Sequence, residues 1–141
     1  MKNFISFRYI AVSFASGLVM FALAGVWNVI IVQQFGLIEI PQAILRDRPI
    51  LPLVMIGYLA LAFVLVYTGL RSHFAANARL HWVIVGVLVM ETAFGLSSIV
   101  LQANYNFPLT AIPLDIIWYL VEGATGGLVA YYLFPDRGTD M

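Results

Sequence analysis

Two glutamates set in otherwise apolar runs are the residues of this sequence best equipped for chemistry. Glu91 lies within LHWVIVGVLVMETAFGLSSIVL and Glu122 within TAIPLDIIWYLVEGATGGLVAYYLF. A carboxylate at bilayer depth costs free energy, so an ionisable residue there marks a candidate site of binding, proton transfer or ion passage. Counted from the ends of their runs at 1.5 Å per residue, both carboxyls fall about 15–18 Å from the outer boundary. That is close to the middle of a hydrocarbon core about 30 Å thick. Two carboxyls sharing one dry site cannot both ionise. The bland alternative for either is a protonated side chain bonded to a hydroxyl of the next helix, contributing about 0.6–2 kcal/mol to packing.

Helical spacing groups further residues with these acids. Asp115, Trp118, Tyr119 and Glu122 follow i, i+3, i+4, i+7 and so share one stripe, while Glu91, Gly95, Ser98 and Gln102 form a second. A third, weaker stripe runs through Ser13, Gly17 and Ala24 to Asn28. In all three, polarity rises from the centre toward the outer side, whereas the inner half offers only hydroxyls such as Ser13, Ser16, Thr68 and Thr125. The expectation is a pocket with an outer mouth and an acidic floor of Glu91, Glu122 and Asp115. Asn28, Ser98 and Gln102 would help line it, with Trp118 and Tyr119 as walls, and it would take a cation, a proton or an amine-bearing small molecule. Asp115 has the alternatives of solvation or pairing with Arg46 or Arg48, and Trp118 and Tyr119 that of anchoring at the membrane interface.

The elements that must position these residues follow from composition. Of 141 residues, 62% are hydrophobic and 10% charged, against roughly 25% charged in a soluble domain. The chain is therefore read as integral to a membrane. Seven Lys+Arg balance seven Asp+Glu, and no basic patch suggests nucleic acid. The absence of cysteine excludes disulfides, thiol catalysis and Cys-ligated metals. His73 and His81 belong to one connecting segment, which disfavours a buried multi-histidine metal or haem site; neither a metal nor a cofactor is expected.

Four apolar runs, about 9–33, 50–70, 80–102 and 110–134, each approach the roughly 20 residues that span a bilayer as a helix. The fold class expected is an all-α membrane protein, one domain over residues 1–141 with four transmembrane helices in two hairpins. Lys2, Arg8, Arg71, Arg79 and Arg137 fall on one side and Arg46 and Arg48 on the other, a bias that puts both termini in the cytoplasm. Tyr9, Tyr67, Trp82, Tyr131 and Tyr132 fit an inner aromatic belt, and Trp27, Tyr105 and Trp118 an outer one. The opening MKNFISFR and the apolar run behind it resemble a signal peptide, but that run continues through GVWNVIIV, so a retained first span is expected. Between the first two spans, Ile38, Ile40, Ile44 and Leu45 suggest a short helix lying in the interface.

Pro52-Leu53-x-x-Ile56-x-Tyr58-Leu59 opens the second span and Pro113-Leu114-x-x-Ile117-x-Tyr119-Leu120 the fourth. The match reads as a parallel repeat of the two hairpins; coincidence among common apolar residues is the other explanation. In such a repeat Val54 and Leu61 correspond to Asp115 and Glu122, so polarity concentrates in the second half. Gly123 and Gly127 form a GxxxG pattern, suited to close packing within the chain or to a dimer.

WYLVEGATGG, behind its proline-led helix start, resembles the last span of small bacterial four-helix integral membrane proteins of unknown function. The likeness covers the last forty or so residues and the four-span layout, and implies a bacterial inner membrane without implying an activity. No Ser-His-Asp order, phosphate-cradling loop or HExxH is present, so no catalytic residue is assigned. Three functions fit: a binding or transport protein; an accessory or assembly subunit of a larger membrane complex; and, least supported, an intramembrane enzyme using the acids for proton transfer. Beyond lipid, the partners expected are further copies of the chain or that larger complex.

Overall fold

A computed structural model describes residues 7–34, 50–104, 109 and 111–134, with backbone alone at 33 and 101–103. These residues are helical apart from short connections, and no strand occurs among them. Helix α1 (Phe7–Gly25) runs on into a π-helical segment, Val26–Gln34. Helix α2 covers Leu51–Arg71. Helices α3 (Ala78–Met90) and α4 (Leu96–Asn104) are parts of one rod joined by a π-helical turn, Glu91–Gly95. Helix α5 covers Ala111–Leu133. Four stretches, Phe7–Val32, Leu51–Arg71, Ala78–Val100 and Ala111–Leu133, are long and apolar enough to cross a membrane. The protein is a multi-pass helical bundle, with all four spans within about two residues of those expected.

The helix ends have local causes. Pro52 sits in the first turn of α2, where a missing N–H leaves no bond unmade. Asn77 caps α3, its side chain accepting from the Leu80 N–H at 3.0 Å, as an N-cap residue does. His81 closes the turn between α2 and α3: its Nδ1 accepts from the Phe74 N–H at 3.1 Å. That leaves Nε2–H to donate to the Gly69 carbonyl at 2.9 Å, satisfying an acceptor in the last turn of α2. His81, read from the sequence as part of a connecting segment, is thus a buried staple.

Helix α1 packs on α2 and α5, and α3 packs on the same two neighbours, so the spans surround the bundle in chain order. Between helices in lipid the hydrophobic effect supplies little drive, and close van der Waals approach takes its place. At the α3–α5 contact the backbones nearly touch. A Cβ on Gly86 would collide with the Gly123 carbonyl, and one on Gly127 with the Trp82 carbonyl. The GxxxG pair therefore serves packing within the chain. Outward, the bundle presents Leu18, Ile56, Val64, Leu88, Leu120 and Val121, as a surface bathed in lipid tails requires.

Arg8 reaches from α1 to the Leu133 carbonyl at the end of α5 at 3.2 Å and lies over the Phe134 ring. Phe7 and Leu133 thus share one end of the bundle with Arg71 and Arg79, hereafter the basic end; Ile50, Asn104 and Ala111 mark the opposite end. Trp27 and Trp82, expected in lipid-facing belts, are instead buried between helices. Trp82 fills the notch at Gly69 and stacks on Phe134 with centroids 6.0 Å apart. The interfacial segment expected around Ile38–Leu45, and Lys2, Arg46, Arg48, Tyr105 and Arg137, lie outside the described residues.

Candidate functional site

Glu122 stands midway along α5, as far from Ala111 as from Leu133. Its side chain is 1% exposed. Oε1 accepts the indole N–H of Trp118, one turn earlier, at 2.6 Å; Oε2 accepts the Tyr58 hydroxyl of α2 at 3.2 Å. Two turns toward the opposite end, Asp115 repeats the pattern. Oδ1 accepts the Trp27 indole N–H at 3.3 Å, and Oδ2 the Ser98 hydroxyl at 3.2 Å. Each carboxyl is therefore held by one indole and one hydroxyl, and all four donors are neutral.

The two indoles tie the units together. Trp27 and Trp118 stack with centroids 4.9 Å apart and planes inclined by 14°, an offset arrangement that aromatic pairs favour. The result is a continuous polar ladder inside the bundle, from Ser98 through Asp115, Trp27, Trp118 and Glu122 to Tyr58. It spans about 10 Å between the two carboxyl-bearing residues at 1.5 Å per residue. Four of the expected site residues (Asp115, Ser98, Trp118 and Glu122) belong to it.

Glu91 lies apart. Its carboxyl folds back over Gly95 of its own helix, occupying the space a Cβ there would need. Oε1 is buried with no hydrogen-bond partner among the described residues. Phe94, three residues after Glu91, lies 5.4 Å from Tyr119, stacked, and 5.6 Å from Tyr58, a partner of Glu122. Tyr119 is within electrostatic reach of Asp115, Glu122 and Glu91 together. All three acids thus lie near one tyrosine, although the two glutamates make no direct bond.

The π turn explains why Glu91 and Ser98 part company. The Leu96 N–H returns to the Glu91 carbonyl, five residues back. An i→i+5 turn rotates everything beyond it relative to an ideal α-helix, so the stripe expected through Glu91, Gly95 and Ser98 is split. Ser98 turns to Asp115 while Glu91 keeps to Gly95. The second π segment carries Trp27. π turns occur frequently where function needs a side chain re-aimed, and here both fall on residues of the acidic region.

Asn28 does not join the ladder: it is exposed, and its amide donates to the Ala24 carbonyl at 2.8 Å. The Gln102 side chain and both arginines considered for Asp115 lie outside the described residues. Among the described residues no group of three or more His, Asp or Glu side chains converges at metal-binding spacing. Tyr58, Trp27 and Phe94 were not singled out from sequence as site residues. One signal pointed to Tyr58, namely its place opposite Tyr119 in the eight-residue repeat.

Compared with known protein families, with curated proteins and with solved structures, the chain matches none.

Proposed function

We propose that the protein is a small membrane binding or transport protein whose acidic ladder takes up a cation in exchange for a proton. The supporting observation is the electrical character of the site. Glu122 and Asp115 are buried or half-buried, their described partners are Trp118, Tyr58, Trp27 and Ser98, and none of these bears a positive charge. An ionised carboxylate in an apolar medium needs a compensating charge, and without one it holds a proton instead. A site of this kind changes its protonation whenever a cation enters, so binding and proton release are one event. The five aromatic side chains near the acids (Trp27, Trp118, Tyr58, Tyr119 and Phe94) suit a cation that is organic and amine-bearing, and the spacing of the described acids does not suit a metal ion.

In this reading the basic end faces the cytoplasm, following the bias of the bases, and the ladder is entered from the opposite, outer side. The protein lies in a bacterial inner membrane, as the likeness of its last span to small four-helix proteins implies, and the two hairpins are parallel repeats of which the second carries the acids. The test is transport. Protein in liposomes, with a pH dye inside and a gradient of tetramethylammonium or ammonium across the membrane, should move protons against the cation flow. Glu122→Gln and Asp115→Asn should each abolish that movement. Equal proton movement in wild type and both variants would remove the acids from the function, and a stable partner complex extracted in gentle detergent, with no flux in liposomes, would favour an accessory role instead.

A further inference from the structure

Two hydroxyls in the half of the bundle nearer the basic end have no place in the ladder. Ser13 and Ser16 of α1 are both 0% exposed, and neither Oγ has a hydrogen-bond partner among the described residues. A helical serine in an apolar setting ordinarily bonds back to the carbonyl four residues earlier. Ser72, Ser97 and Thr125 do so here, at 2.6–2.8 Å. Ser13 and Ser16 leave that bond unmade, although an unsatisfied buried hydroxyl costs about 1–3 kcal/mol. At i, i+3 their Cβ atoms lie about 5–6 Å apart on one face, close enough for a single water to reach both.

Their position relative to Glu122 can be traced through the neighbouring helix. Gly126, one turn from Glu122 toward the basic end, meets the Met20 side chain, and a Cβ on Gly126 would collide with its sulfur. Leu65 of α2 closes the same level. Ser16 is one turn beyond Met20, and Ser13 nearly another, about 9 Å short of the start of the described helix at Phe7. Ser13 and Ser16 therefore occupy the line from Glu122 to the basic end, separated from the carboxyl by one apolar layer of Met20 and Leu65, both 0% exposed. Met is the most adaptable of apolar side chains, and a thin apolar constriction can pass or refuse water according to small movements.

We infer that Ser13 and Ser16 are a buried water site, the inner half of a proton path joining Glu122 to the basic end, with Met20 as its gate. This rests on the reading of Glu122 as a proton-exchanging group and extends it: the cation displaces the proton toward the opposite end, and the proton that reloads Glu122 arrives from the basic end past Met20. Two hydroxyls supply the minimum of polar partners a buried water needs.

The absence of cysteine makes the site directly testable, because Ser13→Cys and Ser16→Cys each introduce one near-isosteric thiol. Silver ion is the probe, since it enters where water does; a wetted thiol gives up its proton and binds Ag⁺ as the thiolate. Reaction is read as protection from later alkylation in the unfolded protein. Added from the side of the basic end, Ag⁺ should protect both variants at least about tenfold faster than it protects Ala62→Cys, the buried apolar control. Rates equal to that control, or reaction only from the opposite side, would overturn the path. A Ser13→Ala/Ser16→Ala double variant guards against misfolding: the water site predicts an unchanged or lowered unfolding temperature, whereas a raised one would mean dry hydroxyls and also overturn it. Thiol reactivity is read without any cation, so failure of the path and failure of the acidic site are separate results.

Discussion

Glu122 and Asp115 each engage one indole N–H and one hydroxyl, and at this scale the site stands or falls on those four bonds. Hydrogen bonds to charged groups are worth about 1.5–3 kcal/mol. Tyr58→Phe and Trp118→Phe, measured by cation titration of the purified protein, should therefore each change the apparent affinity by about ten- to a hundredfold. Tyr119→Phe should change it less, since the described contacts of Tyr119 are made through its ring. Equal effects at all three positions would mean general loosening of the bundle rather than specific bonds to Glu122. The acids and Trp118 were legible in the sequence because residue type and i, i+4 spacing suffice to find them. Tyr58 and Trp27 were less so: their partners are 64 and 88 residues away in the chain, and only packing brings them together. Asn28 lay on an expected stripe yet points outward and bonds its own helix, because the π segment that begins at Val26 breaks the α-helical spacing.

Helices in this protein are set by small residues at contacts and by two departures from α geometry. The Gly86, Gly123 and Gly127 contact predicts a sharp contrast between glycines. Gly86→Ala inserts a methyl against the Gly123 carbonyl and should destabilise by about 1–3 kcal/mol or more, as overpacking does. Gly57→Ala, at a position with open space around it, should be neutral or stabilising by up to about 1 kcal/mol. Thermal unfolding in detergent measures both, and similar losses at the two positions would contradict the α3–α5 contact. The spans themselves were readable from hydropathy, since nothing but helix satisfies a backbone in hydrocarbon. The π turn at Glu91–Gly95 was not, because no residue type signals it. Its effect, moving Ser98 to Asp115 and leaving Glu91 folded over Gly95, is the largest difference between the expected site and the observed one.

At the scale of the whole molecule, four spans in chain order place the polar ladder between the middle of the bundle and its opposite end, and the unpartnered hydroxyls between the middle and the basic end. Composition alone announced the membrane, and the run lengths announced the number of spans. A meeting of Glu91 and Glu122 rested on equal depth, and depth does not specify facing: Glu122 bonds Trp118 and Tyr58 while Glu91 folds over Gly95. What unites the molecule is that its central carboxyls have only neutral described partners, and the proposed exchange links cation entry to proton exit. For a one-for-one exchange the linkage has a definite sign. A proton must leave for the cation to bind, so apparent affinity should rise with pH, by about tenfold per unit while the site is still protonated, and level off once it is not. The most direct test is proton release itself. Purified protein in weakly buffered detergent is titrated with tetramethylammonium and with ammonium while a pH dye reports the protons set free. The wild type should release about one proton per chain at saturation and Glu122→Gln none. Release of the same size from both proteins, or from neither, would contradict the exchange.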